Sequence, residues 1–187
     1  KTILASTTIE HLSSSDPTAV LTCVYCRYDE ECTALDLLCS MIRQIIENHP
    51  NTVYAAAKPT YEDHRLKKSS LTMETAISLY ASLLALFSTR IAVVDGLDEI
   101  SNTEKTALLG ALKSLPLQLL IFSRPLPLFK GTLPSVEFLR IEARNEDIEQ
   151  LVISKIQSDP ELCDMVSANQ GIVEEIASKV QASSNGM

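Results

Sequence analysis

A chain of 187 residues, 45% hydrophobic and 21% charged, is long enough to bury one core, with room for part of a second domain. Its net charge of −8 argues against nonspecific binding to nucleic acid or to an anionic membrane, and no apolar run approaches a bilayer span. Five cysteines, an odd number set in apolar-periodic stretches, read as small core residues of a protein kept in a reducing, cytoplasmic compartment.

No signal-peptide pattern opens the chain, and its first residues read as the start of a helix, Ile3 to Leu12. Val20 to Cys26 is a short β-rich run. From Ala34 to Ile46, Leu35, Leu38, Ile42, Ile45 and Ile46 recur at helical spacing opposite Asp36, Ser40, Arg43 and Glu47. Thr33 caps that helix, with Asp36 closing a capping box. His49 to Ser70, polar and containing Pro50 and Pro59, is expected to be a loop with at most a short helix. Met73, Ile77, Tyr80, Leu84 and Phe87 form the stripe of a further helix. Ile91 to Val94 is a continuous apolar run, as in a strand buried on both faces.

Ser101 and Glu104 frame a capping box for a helix carrying Leu108, Leu109 and Leu112. Leu117 to Phe122 is a second buried strand. Pro125 to Pro134 holds too many prolines for regular structure. Val136 to Ile141 is expected to be a last strand. Helices follow over Asn145 to Gln157, Pro160 to Ser167 and Ile172 to Ala182. Alternating strands and helices predict an α/β fold with a parallel sheet, giving way near Ala143 to an all-helical region. The domains are therefore 1–143 and 144–187.

Three short patterns carry chemistry. Lys1-Thr2 stands at the head of a helix, as the end of a phosphate loop does: the lysine reaches outer phosphates and the hydroxyl holds Mg²⁺. Ile91 to Glu99 delivers Asp95 at the carboxyl end of a buried strand, where α/β sheets bind ligands and a carboxylate can hold magnesium. Asp98 and Glu99 follow at the turn, within reach of an attacking water. Three carboxylates so close repel one another unless a cation sits beside them. Leu119 to Pro125 ends a strand in Ser123 and Arg124, one crossover later. A parallel neighbour would bring Arg124 to the rim that holds Asp95, where its guanidinium could sense a terminal phosphate.

The acidic strand ending in Asp95-Gly96-Leu97-Asp98-Glu99, followed by a strand ending in Ser123-Arg124-Pro125, resembles the NACHT domains of STAND signalling NTPases. It is most similar to fungal NLR-like and heterokaryon-incompatibility proteins and to the nephrocystin-like N-terminal module. The likeness extends to Lys1-Thr2-Ile3-Leu4-Ala5 with His11-Leu12, and to Val24 through Tyr28 with Thr33 through Leu38. It continues through Met41 to Ile45, Ile141 to Ile148 and Gly186-Met187, so it covers essentially the whole chain.

The resemblance implies a three-layer P-loop NTPase sandwich with strand order 5-1-4-3-2, its first strand and phosphate-loop glycines lying before Lys1, and the beginning of a helical lid. It also implies that Lys1 contacts phosphate, Thr2 and Asp95 bind Mg²⁺, Asp98 or Glu99 positions the hydrolytic water, and Ser123 and Arg124 face the nucleotide, Arg124 as sensor. Gly96 stands where many P-loop ATPases have glutamate, so the base is left open between the two carboxylates. The implied function is a switch that binds and slowly hydrolyses ATP or GTP and controls homo-oligomerisation of a multidomain NLR-like protein, between an effector and ankyrin or WD-type repeats. The alternative is a non-hydrolysing scaffold that keeps the fold for oligomerisation. A helicase is disfavoured by the lack of clustered basic and aromatic residues, and a kinase by the lack of an acceptor site.

Cys23 and Cys26 have the spacing of a metal or redox pair, but residues three apart on a strand point to opposite faces. His11, His49 and His64 read as surface or packing residues. Asp29 to Glu31 reads as a solvated turn and Arg65 to Lys68 as a solvated basic loop.

Overall fold

The structure, a computed structural model, describes residues 1–16, 18–29, 31–132, 136–141, 144–167 and 171–184. The chain divides into two compact units, Lys1–Pro134 and Ser135–Met187. Ala143 and Gly186-Met187 lie outside the described residues.

The first unit is built on a parallel sheet of three strands, β1 (Val20–Tyr25), β2 (Arg90–Asp95) and β3 (Gln118–Phe122), in the order β1-β2-β3. Register pairs Tyr25 with Asp95 and Asp95 with Phe122, so the carboxyl ends of all three strands share one rim. β2 and β3 carry aliphatic runs, Ile91–Val94 and Leu119–Ile121, as parallel strands do when helices cover them, whereas β1 sets Thr22 and Cys23 among Val20, Leu21 and Val24.

Helix α1 (Thr2–Ser15) precedes β1, and α2 (Ala34–Asn48) follows it. Thr33 Oγ1 accepts from the Asp36 N–H at 3.2 Å while the Asp36 carboxylate accepts from the Thr33 N–H at 3.0 Å, the reciprocal cap expected from the sequence. Leu37, Leu38, Met41, Ile42 and Ile45 bury the inner face of α2 against the sheet.

The stretch expected as a loop after His49 is instead an 18-residue helix, α3 (Pro50–Lys67). Pro50 occupies the first turn, where no N–H is required. Pro59 lies on an exposed position, where solvent can satisfy the carbonyl it frees. The inward seam of Val53, Ala56 and Ala57 packs on the core with little apolar bulk. The next helix, α4 (Met73–Leu84), ends before Phe87, whose ring packs edge-on against His49 at 4.8 Å. Tyr80 of α4 is fully buried and shares a 2.6 Å hydrogen bond with Thr22 of β1, and burial pushes its phenol up to about 12.

Helix α5 (Asn102–Lys113) starts with Ser101 Oγ accepting from the Glu104 N–H at 3.2 Å. Glu104 does not return to the cap: its carboxylate accepts from the Ala34 N–H and so joins α5 to the first turn of α2. That choice satisfies an otherwise orphaned donor of a longer helix. The proline-rich stretch after Arg124 was expected to be irregular, yet it contains the short helix α6 (Leu128–Thr132), held by Phe129 in the core and starting just after Pro127. Among the described cysteines only Cys26 is buried, while Cys163 is exposed; Cys23, Cys26, Cys39 and Cys163 are free thiols.

In the second unit, Val136–Ile141 form no strand. Val136, Phe138, Leu139 and Ile141 are all exposed, so the segment lacks the burial that stabilises a strand in a sheet. Helices α7 (Asn145–Gln157), α8 (Pro160–Ser167) and α9 (Ile172–Ser184) follow as the periodicity predicts, with Ile148, Val152 and Ile156 buried on α7. No helix among the described residues is long and apolar enough to cross a membrane.

Candidate functional site

The rim at the carboxyl ends of the strands gathers every site residue named from the sequence. Asp95 closes β2 with only 3% of its surface exposed. Thr2, the first residue of α1, donates from Oγ1 to Asp95 Oδ2 at 2.8 Å. Asp95 Oδ1 is buried and has no hydrogen-bond partner in the protein. A buried carboxylate oxygen costs free energy unless it is paired, so this atom is the point at which an external donor or cation fits.

Gly96 follows at φ +74°, in the left-handed region, and its N–H donates to the Phe122 carbonyl at 2.9 Å. A Cβ here would stand 2.5 Å from the Cys26 carbonyl oxygen, so only glycine lets the β2 turn pass over the end of β1. The Cys26 N–H in turn donates to the Asp95 carbonyl at 2.8 Å. Sequence reasoning assigned Cys26 no part in the site; the signal was the glycine placed directly after the rim aspartate. Burial first, then the charge of Asp95, pushes the Cys26 thiol up to about 12, so it stays protonated.

A single 3-10 turn, Leu97–Glu99, anchored by the fully buried Leu97, sets the next two carboxylates at different depths. The Asp98 side chain points inward and is 8% exposed, against 32% for Glu99. Lys1 Nζ donates to Asp98 Oδ1 at 2.7 Å, to Asp98 Oδ2 at 2.9 Å and to Glu99 Oε1 at 3.4 Å. From the end of β3, the Arg124 N–H donates to Asp98 Oδ1 at 3.2 Å, and Arg124 Nε lies 3.7 Å from Oδ2. The Ser123 hydroxyl has two acceptors in reach, Asp98 Oδ1 at 3.3 Å and the Arg124 carbonyl at 2.9 Å. Burial raises the Asp98 pKa, but the Lys1 hydrogen bond, the Arg124 N–H and the Lys1 charge outweigh it and hold the carboxyl below its ordinary value.

The repulsion expected among three neighbouring carboxylates is thus relieved mainly by Lys1 and Arg124. Among the described residues no three acidic, histidine or cysteine side chains converge on one point, so Asp98 and Glu99 do not share a cage with Asp95. What remains at Asp95 is one carboxylate beside one hydroxyl. That donor set suits Mg²⁺, which keeps waters and phosphate oxygens in its shell instead of a full set of protein ligands.

The family model described as nephrocystin 3, N-terminal, matches residues 1–124, more than half of the chain and all of this rim from Lys1 to Arg124. No curated protein and no solved structure matches. The chain belongs to the nephrocystin 3 N-terminal family.

Proposed function

We propose that this member of the nephrocystin 3 N-terminal family is a NACHT-type nucleotide switch, a P-loop NTPase domain that binds Mg²⁺ with ATP or GTP and hydrolyses it slowly. The observation that carries the reading is the convergence of Lys1, Thr2, Asp95, Asp98, Glu99, Ser123 and Arg124 at one sheet rim, with Asp95 Oδ1 buried and unpartnered. The adjacency β1-β2-β3 supports the order 5-1-4-3-2, in which these are the second, third and fourth strands.

Thr2 Oγ1 and Asp95 would hold Mg²⁺, which when bound neutralises charge on the phosphate oxygens. Lys1 would contact the outer phosphates. The Arg124 side chain is 81% exposed and would turn toward the terminal phosphate. Asp98 already accepts from three groups, whereas Glu99 accepts one long hydrogen bond from Lys1; Glu99 therefore has the lone pairs to orient an attacking water. Exchange or hydrolysis of the nucleotide would then reset the helices that follow the core and control homo-oligomerisation, with effector and repeat segments of a longer chain as partners. The free thiols of Cys23, Cys26, Cys39 and Cys163 support a cytoplasmic setting.

Calorimetric titration of the intact protein with Mg-ATP and Mg-GTP tests the reading. Lys1→Ala should weaken binding by at least about tenfold, since a charge-assisted phosphate contact contributes roughly 1.5–3 kcal/mol. Affinity unchanged by that substitution would remove Lys1 from the site.

A further inference from the structure

We propose that Asp98 is an intramolecular competitor for the phosphate, occupying the cationic cradle that the nucleotide must take; this rests on the nucleotide reading above. The cradle consists of the Lys1 ammonium, the Ser123 hydroxyl, the Arg124 backbone N–H and the Arg124 guanidinium. Those are the donor types that recognise a phosphate oxyanion. Here they converge on the two oxygens of one carboxylate, whose side chain is 8% exposed.

The lysine makes the competition unavoidable. An ammonium group has three N–H donors and no acceptor. Lys1 Nζ has three carboxylate oxygens in reach: Asp98 Oδ1 at 2.7 Å, Asp98 Oδ2 at 2.9 Å and Glu99 Oε1 at 3.4 Å. A phosphate oxygen can therefore bind Lys1 only by displacing one of them. Glu99 yields easily, because its contact is long and its side chain is 32% exposed. Giving up Glu99 frees one donor; full engagement of lysine and arginine with phosphate requires Asp98 to leave the cradle.

Two consequences follow from the geometry. Asp98 lowers nucleotide affinity by holding the cations the nucleotide needs. It also keeps Lys1, at the head of α1, and Arg124, at the end of β3, supplied with a counter-charge whenever phosphate departs, which eases release. Asp98 thus acts on exchange, while Glu99 faces the water.

The test compares wild type with Asp98→Asn, Asp98→Glu and Glu99→Gln, each titrated calorimetrically with Mg-ATP, Mg-GTP and Mg-pyrophosphate. Asp98→Asn should tighten binding of all three about tenfold, as expected when a partly buried charged competitor is removed. Asp98→Glu, which restores the carboxylate, should return affinity toward wild type. Glu99→Gln removes the same charge from the same turn and should change affinity by less than about twofold, which separates competition from a general field effect. Equal or weaker binding by Asp98→Asn overturns the proposal. A second readout uses the unsubstituted protein: the ¹³C-carboxyl resonance of Asp98 should move as pyrophosphate binds. A resonance that stays fixed while pyrophosphate binds overturns the proposal as well. Absence of any phosphate binding by wild type and all three variants overturns the nucleotide reading itself, and the competitor with it.

Discussion

Replacing Gly96 by alanine adds one methyl group at the most constrained point of the rim. The residue sits at φ +74°, and the left-handed region costs an L-residue with a Cβ about 1–2 kcal/mol. The new Cβ would also stand 2.5 Å from the Cys26 carbonyl oxygen, a backbone atom that has no rotamer to escape into. Relieving that overlap requires the β1 end and the β2 turn to part, which costs about another 1–3 kcal/mol. The shift strains the 2.8 Å bond from Cys26 N to the Asp95 carbonyl and the 2.9 Å bond from Gly96 N to Phe122. A total of about 2–5 kcal/mol corresponds to a fall in melting temperature on the order of 10 °C for a chain of this size.

Gly110 supplies the internal control. It lies in α5, and a Cβ there meets nothing within 4 Å, so alanine should raise stability by about 0.5–1 kcal/mol through helix propensity. Differential scanning calorimetry of both variants reads the two signs directly. A Gly96→Ala protein that melts within about 2 °C of wild type would show that the turn has room the geometry denies it. Where the variant still folds, the same displacement should lower Mg-nucleotide affinity, because Asp95 is carried on the strained turn.

Glu99→Gln should slow single-turnover hydrolysis by at least about 100-fold while binding stays within about twofold, the pattern of a group needed in the transition state alone; equal turnover would favour the scaffold reading. Asp98 gives a pH signature: its folded pKa lies below the ordinary 3.8, so its contribution to stability is complete above the unfolded range and is lost as pH falls through the depressed folded value. Urea melts of Asp98→Asn should therefore lose less stability than wild type as pH is lowered below about 4, and parallel acid limbs would contradict the Lys1 and Arg124 contacts.

The sequence discloses those features whose physics is local. Thr33 and Asp36 bond each other across one turn, and Leu38, Ile42 and Ile45 show their face through spacing alone. Asp95 and Arg124 were placed at a common rim by the rule that ligands meet the carboxyl ends of parallel strands. Three of the failures have a single cause, tertiary contact overriding a local signal. The seam of α3 is mostly alanine, too small to register as a hydrophobic stripe, and the prolines lie where a helix tolerates them. Phe129 forms a helical turn amid prolines because the core takes its ring. Glu104 abandons its own cap for the Ala34 N–H, 70 residues earlier in the chain. The division between Asp98 and Glu99 was illegible for another reason. Both side chains leave one short turn and both reach Lys1, and only the folded turn sets Asp98 against Arg124 at 8% exposure and leaves Glu99 32% exposed.

The two edges of the sheet are treated differently, and the difference bears on the proposed strand order. At the outer edge of β1, the Gln44 side chain from α2 accepts from the Cys23 N–H at 2.9 Å and donates to the Cys23 carbonyl at 2.7 Å. One side-chain amide thus occupies the donor and acceptor that a neighbouring strand would use, which closes that edge to further pairing. Adding a strand there would break both bonds, at about 1–3 kcal/mol for each buried group left unpaired. At β3 the described residues form no such clamp; its strand partner is β2 alone, and Leu119 through Phe122 remain only partly buried. Among the described residues, further pairing is thus blocked along β1 and not along β3. In the proposed order 5-1-4-3-2, a further strand would lie beside β3, on the side that the clamp leaves open.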